Sequence, residues 1–140
     1  MEPRVYSRSD RDACLAVFDS NALPAREEFE QFLDAGDLSN FTVLEHDGSI
    51  VGCGGFVLRG NVAILLNGII RKDMQRMGLG RFLLMYRLRQ ISRAPGQFDG
   101  VNVEVLPQWA AFYEKQGFKR RQQQDTSGPA QLFMKLTVCP

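Results

Sequence analysis

The amino-acid sequence predicts one domain over residues 1–140 with a mixed α/β fold. A mostly antiparallel sheet of six or seven strands is expected, with helices on both faces. The chain length of 140 residues is usual for one domain. The hydrophobic fraction of 44% and the charged fraction of 24% are typical of globular proteins. The predicted order is strand, two helices, three strands, helix, strand, helix and two strands, which implies a mixed sheet.

The first forty residues predict one strand and two helices. A short strand is expected over residues 5–8, and Ser9 or Asp10 is expected to cap the helix that follows. A second helix follows Pro24 and ends near Gly36, because apolar residues recur there at helical spacing.

The next thirty residues predict three consecutive strands. Residues 41–58 form two strands around Asp47-Gly48, a pair favoured in tight hairpins, and a second reversal follows at residues 59–61. The third strand, residues 62–71, is almost uniformly apolar, which favours a buried central position. Asn67-Gly68 interrupts it and indicates a bulge or a close approach of the backbone to a ligand.

The second half predicts two helices and three strands. In chain order these are a helix over 79–93, a strand over 98–105, a helix over 107–115, and strands over 118–123 and 131–138 joined around 125–129. On the long helix, Arg87, Arg89 and Arg93 are expected on the solvated side.

Charge and histidine content exclude several classes of function. Seventeen basic and sixteen acidic residues give a formal net charge of +1, so no global field would attract nucleic acid or an anionic membrane. His46 is the only histidine and precedes the Asp47-Gly48 turn. A zinc site with paired imidazoles is therefore excluded, and a Ser-His-Asp relay would need a residue at a hairpin tip. We expect no metal and no nucleic-acid partner.

The cysteines and the apolar runs indicate a cytoplasmic protein. Cys14, Cys53 and Cys139 are odd in number and lack a CxxC spacing, which favours a reducing compartment. The N-terminus has no signal-peptide pattern, and no apolar run approaches the roughly 20 residues that span a bilayer. No membrane association is expected.

A glycine-containing turn, QRMGLG at residues 75–80, lies between the third strand of this region and the long helix. Free backbone N–H groups and the helix dipole favour an anion there. Gly78 and Gly80 would leave the amides uncovered, and arginines at 71, 76 and 81 would add positive charge. The dinucleotide fingerprint is excluded because Leu83 replaces its last glycine, and a P-loop would need Gly-Lys before Ser or Thr.

Two segments resemble the Gcn5-related N-acetyltransferase (GNAT) family. The pattern Gln/Arg-x-x-Gly-x-Gly/Ala at residues 75–80 is similar to the family's coenzyme-A pyrophosphate turn. Residues 109–118, WAAFYEKQGF, resemble the family's helix that carries Phe-Tyr before Glu-Lys-x-Gly-Phe. The element order matches too, and the resemblance is specific over residues 41–118. Leu106 departs from it, because many relatives carry asparagine at that place.

The resemblance implies a splayed coenzyme-A cleft between strands 4 and 5 and acetyl-CoA as the acyl donor. Tyr113 matches the family's usual proton donor. Glu104, together with Asn102, would relay the proton of the amine or form a structural hydrogen-bonded pair, and both alternatives stay open. The expected coenzyme-binding residues are Gly68, Ile69 and Ile70 for the pantetheine arm and Gln75, Arg76, Met77, Gly78, Leu79, Gly80 and Arg81 for the pyrophosphate.

The expected activity is direct transfer of an acetyl group from acetyl-CoA to a primary amine of a small molecule or peptide. An acyl-cysteine route through Cys53 is set aside, since an isolated strand cysteine is usually buried packing. The alternative is a module that keeps the coenzyme cleft and senses acyl-CoA, or docks to another protein, without turnover. A monomer or homodimer is expected.

Overall fold

The computed structural model describes residues 1–121 and 129–136. Its contacts group these residues into two compact units. The first unit consists of Met1–Phe56 and Asn67–Gln90. The second consists of Val57–Leu66 and the described residues from Ile91 onward. The third and fourth strands contribute residues to both units.

In the described part of the chain, seven strands and four α-helices follow the predicted order. The strands are β1 (Glu2–Val5), β2 (Phe41–His46), β3 (Ser49–Arg59), β4 (Val62–Ile70), β5 (Gly100–Val105), β6 (Lys119–Arg120) and β7 (Ala130–Lys135). The helices are α1 (Arg11–Asp19), α2 (Arg26–Ala35), α3 (Leu79–Arg93) and α4 (Pro107–Lys115). Hydrogen-bonded neighbours run β1-β2-β3-β4-β5-β7-β6. The pair β4/β5 is parallel, and β1/β2, β2/β3, β5/β7 and β6/β7 are antiparallel. The predicted mixed, mostly antiparallel sheet is confirmed.

In the first unit, helices pack on both faces of the strands. Val43 belongs to the core that α1 and α2 cover, whereas the next residue, Leu44, belongs to the core that α3 covers. Successive side chains of a strand point to opposite faces, so the two cores lie on opposite sides of β2. Phe18 of α1 and Phe29 of α2 stack in the first core with ring centroids 4.9 Å apart. Leu79 and Leu83 fix the start of α3 in the second.

In the second unit, β5 lies between the start of β4 and β7. Residues Val62 to Leu65 pair with Gly100 to Val103, and β5 pairs with β7 along its whole length. A Cβ atom at residue 100 would lie 2.2 Å from the Phe133 ring, so only glycine fits there. After β5, α4 begins at Pro107, and Gly117 with φ +104° ends the turn that follows it. This turn leads into β6.

The hairpin turns predicted from sequence are confirmed, but the first strand is displaced. Asp47 and Gly48 both have positive φ, +51° and +78°, as a tight hairpin requires. β1 covers Glu2–Val5 instead of residues 5–8, because the chain after Tyr6 turns to form a hydrogen bond from the Ser7 N–H to Asp10. The predicted last turn and the ends of its strands, at 122–128 and 137–138, lie outside the described residues.

Within the described ranges, no helix is long and apolar enough to cross a membrane. The same part of the chain contains no cluster of His, Cys, Asp and Glu side chains suited to a metal ion. Cys14 and Cys53 are buried free thiols, and Cys139 lies outside the described residues.

Candidate functional site

The turn between β4 and α3 has the backbone of an anion-binding nest. Arg76 and Gly78 have left-handed φ values of +65° and +83°, and left-handed residues are found in the nests of successive N–H groups that bind anions. The Phe82 N–H donates to the Gly78 carbonyl at 3.0 Å, so the N–H groups of Leu79 to Arg81 precede this helical bond. These donors lie at the positive end of a fifteen-residue helix. The arrangement suits a phosphate or diphosphate.

Residues around this turn are largely exposed, but the Gln75 N–H already donates to the Lys72 carbonyl at 3.4 Å. Arg76, Met77, Gly78 and Arg81 are exposed, and Met77 has 64% of its surface accessible. Leu79 is buried in the core under α3, so it contributes through its backbone. The predicted contribution of the arginine at 71 is not favoured, since its Nε donates to Asp73 at 2.6 Å.

Gln75 ties the turn to two other elements of the first unit. Its Nε2 donates to Asn21 Oδ1 at 2.6 Å and to the Ile70 carbonyl at 3.0 Å. Asn21, just after α1, donates from Nδ2 to the Ile70 carbonyl at 2.9 Å and to the Val17 carbonyl at 3.2 Å. The side chain of Gln75 therefore positions the turn. Sequence reasoning missed Asn21, because nothing local marks a loop asparagine as a partner of residue 75.

The end of β4 carries the predicted interruption. Asn67 has a left-handed φ of +51° inside the strand. The next residue, Gly68, is exposed, whereas Ile69 packs in the core under α1 and α2 and Ile70 packs against the core under α3. Because the two isoleucines that follow Gly68 are used in packing, the exposed backbone of Gly68 is an accessible part of this segment.

The prediction that Arg87 lies on the solvated side of α3 is wrong. Arg87 is only 2% exposed and lies against β3 and β4 of the first unit. Its Nη1 donates to the Gly55 carbonyl at 3.3 Å, and its buried Nε has no acceptor. A signal was present in the sequence, since Arg87 follows Leu83 by four residues and therefore shares its buried face. Arg89 and Arg93 are exposed as expected.

In the second unit, Tyr113 lies in an aromatic cluster. It is 7% exposed, and its ring makes edge-on contacts with Phe112 and Phe118 at centroid distances of 5.1 and 5.5 Å. The N–H groups of Gln116 and Phe118 both donate to its carbonyl at 3.0 Å. The cluster and the backbone bonds hold this side chain in one place on α4.

Glu104 and Asn102 lie on the same face of β5 but have different partners. Asn102 Oδ1 accepts a hydrogen bond from Arg121 Nη2 at 2.9 Å. Glu104 is exposed, and Gln131 Nε2 donates to its Oε2 at 3.5 Å. The structural role that the sequence left open is therefore supported for Asn102, whereas the carboxylate of Glu104 remains open to solvent.

A surface groove in the first unit contains none of the predicted catalytic or coenzyme-binding residues, although Arg71, which was expected to add charge near the turn, is among its lining residues. It lies beside β1 and is lined by Arg4, Asp10, Glu45 and Ser49, among others. Arg4 spans it, donating to both Asp10 and Glu45. The groove is thus crossed by an ion-pair network.

A family model for the acetyltransferase (GNAT) domain matches residues 37–120, more than half of the chain. The chain belongs to the GNAT acetyltransferase family. The match spans the β4–α3 turn of this GNAT chain, and also Glu104 and Tyr113. No curated protein gives a significant sequence match.

Solved structures share this GNAT fold. The *Escherichia coli* ribosomal-protein-S18-alanine N-acetyltransferase has a TM-score of 0.77 at 18% identity, covering 99% of this chain and 96% of its own. The PaiA N-acetyltransferase of Thermoplasma acidophilum, solved with coenzyme A, has a TM-score of 0.74 at 18% identity, and the match covers 96% of this chain and 98% of that enzyme. *Neisseria gonorrhoeae* N-acetylglutamate synthase, solved with coenzyme A and N-acetyl-glutamate, has a TM-score of 0.75 at 15% identity and covers 98% of this chain. The chain spans only 35% of that synthase.

Proposed function

We propose that the protein transfers an acetyl group from acetyl-CoA directly to a primary amine of a small molecule or peptide. Membership of the GNAT acetyltransferase family supports acyl transfer from coenzyme A. The observation that carries the proposal is the nest of amides between β4 and α3, which has the donors and the helix dipole that a diphosphate needs.

The coenzyme would bind along the first unit from the turn to β4. Its pyrophosphate would accept hydrogen bonds from backbone amides between Arg76 and Arg81, with the exposed guanidinium groups of Arg76 and Arg81 adding positive charge. The Gln75 N–H, which was expected to join them, already donates to the Lys72 carbonyl at 3.4 Å. The pantetheine arm would follow Gly68 to Ile70. The Ile70 carbonyl already accepts bonds from Asn21 and Gln75, so the arm would pair with other groups of this segment.

The transfer forms one bond and breaks another. The neutral amine nitrogen attacks the thioester carbonyl carbon, the negative charge passes to the carbonyl oxygen, and the C–S bond then breaks to release the coenzyme thiolate. An alkylammonium group has a pKa near 10.4, so the amine must lose a proton to a base around the time of attack. The thiolate must gain a proton before the coenzyme leaves.

Tyr113 and Glu104 are the residues proposed for these proton transfers. Tyr113 would protonate the thiolate, since it matches the family's donor and its ring is fixed by Phe112 and Phe118. Glu104 would take the amine proton, directly or through water, because its exposed carboxylate can reach solvent. Neither role requires a metal.

We also propose a cytoplasmic location and a monomeric or homodimeric state. The buried free thiols of Cys14 and Cys53 are compatible with a reducing compartment. The acceptor assay described below distinguishes small amines from peptides as the acceptor.

The coenzyme site is tested by calorimetry with two matched valine variants. Gly78 and Gly48 have nearly the same positive φ, +83° and +78°, and a Cβ atom at either would meet nothing within 4 Å. Valine should therefore strain both backbones equally. Only Gly78→Val should weaken acetyl-CoA binding, by about tenfold or more. Equal affinity in the two folded variants would disprove the phosphate site.

Turnover is tested by thiol release from acetyl-CoA over a panel of primary amines and peptides. An enzyme should release coenzyme A in an acceptor-dependent way. Tight binding of acetyl-CoA without acceptor-dependent release over the whole panel would instead support the sensing module.

A further inference from the structure

Arg87 is a buried cation for which the described residues provide no anion. A guanidinium group stays charged in proteins and has five N–H donors. Among the described residues, its Nη1 donates to the Gly55 carbonyl and its buried Nε has no acceptor. No carboxylate within the described ranges forms an ion pair with Arg87. Burying an unpaired charge is costly, so this position favours a bound anion.

Two glycines make the space that the guanidinium occupies. A Cβ atom at residue 54 would lie 3.2 Å from Arg87 Cζ, and one at residue 68 would lie 2.7 Å from Nη2. A Cβ atom at residue 54 would make a tight contact with the guanidinium group, and one at residue 68 would require the guanidinium group to shift. The guanidinium group therefore lies directly against the backbone of Gly68, which is exposed.

The anion at this place is not the pyrophosphate of the coenzyme. The backbone of Arg87 lies seven residues beyond Gly80 on α3, about 10 Å along the helix axis from the nest, and its guanidinium group lies against Gly54 and Gly68. Between its phosphates and its thiol, the coenzyme carries only neutral amide and hydroxyl groups. An anion beside Gly68 would therefore come from the acyl group that the arm carries.

We propose that Arg87 binds a carboxylate at the end of the acyl group, so that the preferred donor is a coenzyme-A half-thioester of a short dicarboxylic acid. The inference rests on the proposed coenzyme site and extends its donor beyond acetyl-CoA. The planar fork of arginine suits a carboxylate, which can accept two parallel hydrogen bonds. Acceptor chemistry is unchanged, since the amine attacks the same thioester carbon.

The test is calorimetry without acceptor, using succinyl-CoA, butyryl-CoA, acetyl-CoA and coenzyme A. Succinyl and butyryl groups have the same number of carbons, so their comparison isolates the carboxylate. The wild type should bind succinyl-CoA about ten- to a hundredfold more tightly than butyryl-CoA, the range expected for a charge-assisted hydrogen bond. Arg87→Met keeps most of the volume and should abolish this preference without changing the affinity for coenzyme A. Arg93→Met, at an exposed position of the same helix, is the control.

Each outcome separates the two proposals. If coenzyme A and all three thioesters fail to bind the wild type, the coenzyme site and the role of Arg87 are both wrong. If they bind with no preference for succinyl-CoA, or if Arg87→Met keeps the preference, only the role of Arg87 is wrong. If Arg87→Met does not fold, Arg87→Lys, which keeps the charge and loses the fork, should retain part of the preference. Equal binding of succinyl- and butyryl-CoA by a folded wild type overturns the inference without any variant.

Discussion

At the scale of single residues, the start of the chain depends on the charge of Asp10. This residue is 5% exposed, and its carboxylate accepts hydrogen bonds from Arg4 Nη1 and Nη2, both at 2.8 Å, and from the Ser7 N–H at 2.9 Å. The hydrogen bonds from Arg4 lower the pKa of Asp10 most, and burial opposes them. Because Arg4 also donates to Glu45 of β2, the network fixes β1 against the rest of the first unit.

Acid should therefore destabilise the protein through Asp10. A carboxyl whose pKa is lower in the folded state stabilises the fold above its unfolded pKa, near 3.9, and this contribution is lost as the pH falls through the folded value. Asp10→Asn should lower the free energy of unfolding at pH 7 by about 1–3 kcal/mol and flatten its decline below pH 4. Urea unfolding from pH 7 to pH 3 measures both effects. Asp12→Asn, whose side chain is 97% exposed, should match the wild type, and a similar loss in that variant would contradict the role of Asp10.

Tyr113→Phe should separate the role of the hydroxyl from that of the ring. Phenylalanine keeps the edge-on contacts with Phe112 and Phe118, so the folded structure should be retained. If the hydroxyl protonates the thiolate, kcat and kcat/KM should both fall about 10²- to 10⁴-fold, with acetyl-CoA affinity unchanged. Steady-state kinetics with the best amine measures this. A kcat within about twofold of wild type, with chemistry rate-limiting, would reduce Tyr113 to a packing residue.

Residue-level prediction succeeded where backbone conformation decides the outcome and failed where long-range packing does. The Asp47-Gly48 turn was predicted because left-handed backbone favours glycine, asparagine and aspartate, and Gly78 also has a left-handed φ, although its binding of phosphate stays a prediction. Arg87 was placed on the solvated side because its charge outweighed its helical spacing. Its burial depends on glycines at 54 and 68, which are remote in sequence, so no local pattern reveals the space they make.

At the scale of elements, β4 shows how one strand can contribute residues to the core and also to the candidate coenzyme site. Its buried residues, Ala63, Leu65 and Ile69, hold the strand in the sheet, and its partly buried apolar residues explain the nearly uniform apolar sequence. The bounds of α3 and α4 agree with prediction because a glycine turn or proline starts each helix. β1 was misplaced because the hydrogen bond from Ser7 to Asp10 ends it, and side-chain bonds of this kind leave no periodic pattern.

The stability of the protein should depend on whether the residue at position 67 can adopt a left-handed backbone conformation. Asparagine tolerates a left-handed φ, glycine adopts it freely, and a β-branched residue does so only with strain. Asn67→Gly should leave the free energy of unfolding within about 1 kcal/mol of wild type, whereas Asn67→Val should lower it by about 1–3 kcal/mol. Chemical denaturation measures the difference. Equal stability of the glycine and valine variants would show that the left-handed conformation is not required.

At the scale of the whole molecule, net charge affects how strongly the protein attracts an anion, whereas ligand binding affects the stability of the fold. A net charge of +1 supplies no long-range attraction, so coenzyme binding should depend on the local nest and its exposed arginines. A ligand that binds the folded chain and not the unfolded chain also raises stability by mass action. Acetyl-CoA should therefore raise the stability of the whole folded chain, although the donors that bind its phosphates belong to one turn.

Acetyl-CoA should raise the midpoint of thermal unfolding in proportion to its affinity. A free ligand concentration one hundred times the dissociation constant contributes about 2.7 kcal/mol, which corresponds to a shift of several degrees for a chain of this size. Scanning calorimetry or fluorescence at increasing acetyl-CoA concentrations measures the shift. Gly48→Val and Tyr113→Phe should show the wild-type shift, because neither change removes a phosphate donor. Gly78→Val should lose it, since its side chain would cover the amides at the start of α3; a full shift in that variant would place the phosphates elsewhere.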